Sequence, residues 1–222
     1  MNTIEFSSNS KAELIYFDSL DQCASSLLKK INPQNRVAVS GGSTFAKIFE
    51  EWKKSDSLLS DVEFFPVDER VVPFDSPYSN WGNAFNIFLS DIGRASDREN
   101  FAESEEKYNT ILMEKFGNDI PVFDLVLLGV GDDGHTASLF PGGDYFDIKD
   151  RIISTISPKP PIKRISLSSE TIASAKCVIT IVYGSAKKDI LKRILHNDKD
   201  MPIVKVLSKI ENSIIYADKH LC

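Results

Sequence analysis

Asp133 and His135 stand two residues apart in a glycine-rich turn, Gly129-Val130-Gly131-Asp132-Asp133-Gly134-His135, which closes an apolar run starting at Phe123. An imidazole titrates near neutrality and can take a proton from water. A neighbouring carboxylate can orient it and favour its protonated form. The pair therefore suits general-base chemistry on a water nucleophile. A plainer reading fits the same residues: Asp133 caps a short helix begun by Gly134-His135-Thr136-Ala137-Ser138, and His135 packs beside it.

The glycines also match G-x-G-x-x-G, the dinucleotide fingerprint, but the context disagrees. That fingerprint needs a strand, the glycines and then a full helix whose N-terminus faces the pyrophosphate. Here the segment after His135 is cut off by Pro141-Gly142-Gly143 within about two helical turns. Asp132 and Asp133 would also sit where the pyrophosphate belongs, anion against anion. A dinucleotide site is rejected on these grounds.

Three other stretches carry groups that could hold an anion. Ser40-Gly41-Gly42-Ser43-Thr44 lies between an apolar run and a helical pattern, where backbone N–H groups at a helix start favour negative charge. It lacks the P-loop lysine, and Phe45 stands where a nucleophile elbow requires glycine. Ser43 or Thr44 would serve equally well as an ordinary N-cap. Asp68-Glu69-Arg70 ends another apolar run; these are either solvated loop charges or, for Arg70, a bidentate partner for phosphate or carboxylate. Arg164 opens a strand pattern and Lys187 falls in a first helical turn, where a cation opposes the helix dipole unless a ligand anion compensates.

The elements that must position these groups show in the hydrophobic pattern. Strand-like runs cover 13–17, 36–40, 62–67, 123–130, 151–155, 164–168, 177–183 and 213–217, several of them continuously apolar, as in strands buried on both faces. Between them, Leu20, Cys23, Ala24, Leu27, Leu28 and Ile31 form one helical stripe. Tyr108, Ile111, Leu112 and Phe116 form a second, and Ile190, Leu191, Ile194 and Leu195 a third. Alternation of this kind predicts an α/β fold, a three-layer α/β/α sandwich around a mostly parallel sheet. No repeat or linker divides the chain, so a single domain over 1–222 is expected; the Pro-rich 157–164 stretch reads as a stiff loop between two short strands.

Bulk properties narrow the function. With 222 residues, 42% hydrophobic, the chain can bury a large core. A net charge of −6 argues against a general nucleic-acid binder. No apolar run reaches the ~20 residues needed to span a bilayer, and the N-terminal residues lack a secretory pattern. Cys23, Cys177 and Cys222 are odd in number and widely spaced, which suggests ordinary thiols in a reducing cytoplasm rather than disulfides or a zinc site.

Taken together, the segments "SGGST", "DERVVPFDSPYSN", "GVGDDGHTASLFPG", "KPPIKRISLS" and "GSAKK" resemble the 6-phosphogluconolactonases, in that family's order along nearly the whole chain. The related glucosamine-6-phosphate deaminases share a modified Rossmann-like fold, but carry a glutamate before the loop proline and a tyrosine after the strand-end Asp-Glu. Here those positions are Phe140 and Arg70, which argues against ring-opening and amine chemistry. The family's usual proline after S-G-G-S-T is Phe45, for which a small loss of rigidity and no change of function are expected.

The resemblance implies hydrolysis of 6-phospho-D-glucono-1,5-lactone without a metal or organic cofactor. His135 would be the base, Asp133 its orienter, and Arg70 a stabiliser of the carbonyl oxygen. Gly41, Gly42, Ser43, Thr44, Asp68, Arg164 and Lys187 would contact the substrate or its phosphate. The expected partner is the phosphosugar lactone, with no nucleic acid and no membrane, in a cytoplasmic monomer or weak homo-oligomer. The alternatives are a phosphosugar deaminase or isomerase, or a non-catalytic phosphosugar sensor. Such sensors generally come joined to a DNA-binding module, for which this chain leaves no room.

Overall fold

Strands and helices alternate along the chain in the computed structural model, which describes residues 2–55 and 59–221. Seven strands form one sheet: β1 (Asn2–Ser7), β2 (Ser10–Phe17), β3 (Arg36–Val39), β4 (Glu63–Pro66), β6 (Leu125–Gly129), β9 (Val178–Val182) and β10 (Asn212–Asp218), in the order β1-β2-β10-β9-β6-β3-β4. Every neighbouring pair is parallel except the β1–β2 hairpin. The expected three-layer architecture is present.

Continuous apolar runs build the two-sided burial. In β6, Leu125 and Leu127 face one core while Val126 and Leu128 face the other. On the first side lie α1 (Leu20–Leu28) and α2 (Ser43–Trp52), with an aromatic cluster of Phe49, Trp52, Phe64 and Phe88. On the other lie the helices Glu105–Phe116, Lys188–Leu195 and Pro202–Leu207. The Ser19 side chain caps α1 by accepting from the Gln22 N–H. Such a cap is worth about 1 kcal/mol. Each fully buried aliphatic side chain contributes about 1.5–3 kcal/mol, so packing of the stripe against the sheet dominates. α1 stops at Leu28, short of Ile31 in the expected stripe, and the chain tightens there into turns in which the Lys30 and Ile31 N–H groups donate to the Leu27 and Leu28 carbonyls.

Two features depart from the sequence pattern. Asp68–Arg70 is not a solvated loop but a strand, β5, antiparallel to β8 (Lys163–Leu167), which also pairs with β7 (Ile152–Ile156). The resulting three-stranded sheet, ordered β5-β8-β7, buries Ile152, Ile153, Ile165 and Leu167 in the core on the second face. The Pro-rich stretch is the β7–β8 connection, as expected. Second, Gly134–Ser138 forms no helix. Gly134 and Ala137 take φ of 84° and 50°, and the segment closes as a turn in which the Leu139 N–H donates to the Thr136 carbonyl. Left-handed backbone at two positions so close together cannot continue a right-handed helix.

Cys23 is buried and Cys177 half-buried, both as free thiols, and Cys222 lies outside the described residues. Burial pushes the Cys23 thiol up to about 12, which makes it unreactive. No helix among the described residues is long and apolar enough to cross a membrane.

Candidate active site

From β3 the chain proceeds to β4 at one edge of the large sheet, and from β6 to β9 on the opposite side. Open α/β sheets bind ligands in the crevice at such a reversal, outside the carboxyl ends of the strands. Here the crevice is flanked by the turn after β3 and the turn after β6. A cavity of about 220 Å³ occupies it, lined by Gly41, Gly42, Ser43, Thr44, Asp68, Arg70, Asn80, Gly131, His135 and Lys187 among others. An adjoining cavity of about 660 Å³ shares Ser43, Asp68, Arg70, His135 and Lys187 and adds Asp133, Phe140, Lys159 and Arg164. Every residue singled out from the sequence thus lines one continuous cleft.

The β6 turn holds the imidazole. Asp133 accepts the backbone N–H of His135 at 3.1 Å and also contacts His135 Nδ1 through the same Oδ1. That contact assigns the proton to Nδ1 and leaves Nε2 as the acceptor of the neutral ring. The helix-capping alternative fails, since Asp133 closes a turn instead. The ring lies directly over Gly131: a Cβ there would come within 2.1 Å of it. Burial works to raise the pKa of Asp133, but the hydrogen bonds from His135, with the coulombic pull of its ring when protonated, outweigh it and leave the carboxyl below its ordinary value. Phe140 packs against the imidazole with ring centroids 4.9 Å apart. The loop is anchored from below, where the Ile203 N–H donates to the Gly134 carbonyl at 3.1 Å.

The β3 turn works through its backbone. Gly42 is the N-cap of α2, with φ 90° and ψ 177°, and no side chain caps the helix. Neither Ser43 nor Thr44 is the N-cap, which corrects that reading. The first N–H groups of α2 therefore lack intrahelical partners and open towards the cleft with the positive end of the helix dipole. Phe45, in the place of the family's proline, is fully buried and lies against Gly129, with its ring 6.0 Å from that of Phe49. Core packing anchors this first turn where a proline ring would have stiffened it.

The small sheet supplies the arginines. Arg70 and Arg164 are directly paired across β5 and β8. Arg70 Nη1 donates to the Tyr78 carbonyl at 2.9 Å, and Arg164 Nη2 reaches Ser157 Oγ at 3.4 Å. Both Nε atoms are buried without a partner. Desolvation and then the neighbouring Arg70 charge push the Arg164 pKa down, against the opposing pull of Asp68 and Glu69. Asp68, also buried, accepts from Ser138 Oγ at 2.6 Å. Lys187, just before the helix Lys188–Leu195, pairs with Asp132, while Lys188 is exposed.

Two contributors escaped the sequence pattern. Glu69 is fully buried and accepts from the Arg70, Asn80 and Trp81 N–H groups and from Ser79 Oγ. It fastens the far end of the loop after β5 to the strand, although desolvation raises its pKa. Asn80 donates to the Asp68 carbonyl at 3.1 Å and lies against Gly41, where a Cβ would overlap its side chain. Glu69 and Asn80 both lie in the segment "DERVVPFDSPYSN" that carries the family resemblance, but their residue types alone gave them no role. Among the described residues, no group of three or more His, Cys, Asp or Glu side chains converges as metal ligands would.

With this geometry in hand, comparison with known proteins is decisive about ancestry. The profile of the glucosamine-6-phosphate isomerases/6-phosphogluconolactonase matches residues 14–215. The chain belongs to this family. Its relatives include the 6-phosphogluconolactonase of Bos taurus, 38% identical over 150 residues; the match covers 63% of this chain and 58% of the bovine protein, so it spans less than two thirds of that relative. 6-Phosphogluconolactonase 4 of Saccharomyces cerevisiae is 30% identical over 209 residues, covering 81% of this chain and 80% of the yeast protein. Among solved structures, the 6-phosphogluconolactonase from Trypanosoma brucei superimposes with a TM-score of 0.79 at 26% identity, over 96% of this chain and 98% of that one.

Proposed function

We propose that the protein hydrolyses 6-phospho-D-glucono-1,5-lactone to 6-phospho-D-gluconate, the lactonase step of the oxidative pentose phosphate pathway. The observation that carries this reading is the Asp133–His135 pair at the carboxyl end of β6, facing a cleft whose other charged groups are mostly cations. His135 Nε2 takes a proton from water as the water oxygen bonds to the lactone carbonyl carbon. The carbonyl oxygen becomes an anion, and Arg70 is placed to stabilise it. Collapse of that intermediate breaks the bond from the carbonyl carbon to the ring oxygen, which receives the proton from His135.

Asp133 keeps the imidazole in the tautomer that the first step needs. Arg164, Lys187 and the Gly41–Thr44 turn hold the 6-phosphate, with Asp68 oriented towards the substrate by Ser138. Phosphate binding then positions a carbonyl some way off, so losing a phosphate contact affects turnover as well as affinity. Phe140 beside His135 offers no carboxylate for ring-opening, which favours the lactonase over the deaminase. The protein acts without metal or organic cofactor, in the cytoplasm, as a monomer or weak homo-oligomer.

The test is the decay of freshly generated 6-phosphogluconolactone, read by coupling the product to 6-phosphogluconate dehydrogenase. Acceleration above the spontaneous rate is expected. Binding of 6-phosphogluconate without acceleration would make the protein a phosphosugar sensor, and ammonia release from glucosamine 6-phosphate would make it a deaminase.

A further inference from the structure

Lys187 has an anionic partner within the protein itself. Its ammonium pairs with the Asp132 carboxylate, which comes from the β6 turn on the other side of the cavity mouth. The two partners are unequal. The lysine side chain is 18% exposed, whereas that of Asp132 is 78% exposed. Asp132 makes no contribution to the Asp133–His135 contact, and it is held below its ordinary carboxylate pKa by the hydrogen bond and charge of Lys187. It thus sits as a solvent-exposed anion on a largely buried cation, and both line the cleft.

We infer that Asp132 is a built-in competitor for Lys187, so that a phosphate group enters this subsite by exchange with the Asp132 carboxylate and leaves as that carboxylate returns. The inference rests on the assignment of Lys187 to the phosphate. An ion pair with one partner this exposed is worth about a few-fold in an equilibrium constant, because solvent competes for the carboxylate. The exchange is therefore easy, and a dianionic phosphate gains more from Lys187 than a single carboxylate does. The device limits affinity for phosphate-bearing ligands in general, the product among them. Asp132 sets the release of product without touching the reacting atoms.

The test is Asp132→Asn, with inorganic phosphate and 6-phosphogluconate as ligands, measured by calorimetry and as inhibitors of lactone hydrolysis. Both should bind about 3- to 10-fold more tightly, with a lower KM and a kcat that does not rise. The same substitution in a Lys187→Ala background should change affinity less than 2-fold, since there is then no cation to compete for. Unchanged or weaker binding in Asp132→Asn would overturn the inference and make Asp132 a support for Lys187. Equal tightening in both backgrounds would also overturn it, by reducing the effect to general repulsion. If the wild-type protein binds neither ligand, the phosphosugar reading falls with it. If it binds both and Asp132→Asn does not tighten them, only the exchange is lost.

Discussion

The turns after β3 and β6 leave adjacent parallel strands at the same edge of the sheet, and both depend on glycine, yet they do opposite work. The β3 turn runs straight into a ten-residue helix and presents backbone: an uncapped helix start behind Gly42. The β6 turn never becomes a helix and presents side chains, with Asp133 and His135 folded back over Gly131. In the first, glycine supplies a backbone conformation that other residues resist. In the second, Gly131 supplies room, because the imidazole occupies the space a Cβ would need. On the proposed function, binding by backbone and chemistry by side chain fall to neighbouring turns, bridged by Ser40, whose Oγ donates to the Leu127 carbonyl at 3.0 Å and accepts from the Gly129 N–H at 3.3 Å.

That division can be broken most sharply at His135. His135→Ala removes the proposed base and leaves the β3 turn and the arginines in place. Turnover should fall by roughly 10²–10⁴, with KM changed far less. Near-wild-type turnover in the coupled lactone assay would move the chemistry elsewhere in the cleft. Gly131→Ala comes next, and it separates room from identity because every reactive group remains. The added Cβ would sit 2.1 Å from the ring, so the imidazole must tilt or shift. A displacement on the order of 1 Å can cost about 10² in rate. The expected result is a fall in kcat of that order with the melting temperature nearly unchanged. A variant with full activity would show that the ring has a second productive position.

The two turns also differ in how well the sequence announces them. The β6 turn shows in its residue types: an apolar run, three glycines and an Asp-x-His pair mark it as a candidate site, though not that the ring rests on Gly131. Its expected short helix was wrong because Ala137 takes a left-handed conformation that nothing local in Thr136-Ala137-Ser138 demands. The parallel layers were legible because strands buried on both faces must be apolar throughout. The small antiparallel sheet was not, since β5 consists of three charged residues whose burial depends on partners far along the chain. Glu69 is the clearest case. It reads as a surface carboxylate, and only the N–H groups of Asn80 and Trp81, arriving after a loop, make its complete burial tolerable. Arg70 and Arg164 are likewise neighbours only through the β5–β8 register.

The smallest effect is expected at the backbone turn, and its character matters more than its size. Gly42 holds φ 90° and ψ 177°, a region almost closed to residues with a Cβ, yet an added Cβ would meet no atom within 4 Å. Gly42→Ala therefore tests conformation alone, without steric overlap. Strain of this kind costs on the order of 1–3 kcal/mol, met either as lost stability or as a turn that relaxes away from its native shape. If the first N–H groups of α2 hold the phosphate, relaxation should raise KM several-fold and weaken inorganic phosphate to a similar degree, while saturating turnover stays within about 3-fold. Steady-state kinetics beside a phosphate titration would check this. A loss of kcat as large as that of Gly131→Ala would erase the distinction, because the β3 turn would then be shaping the reacting centre as well as gripping the far end of the substrate.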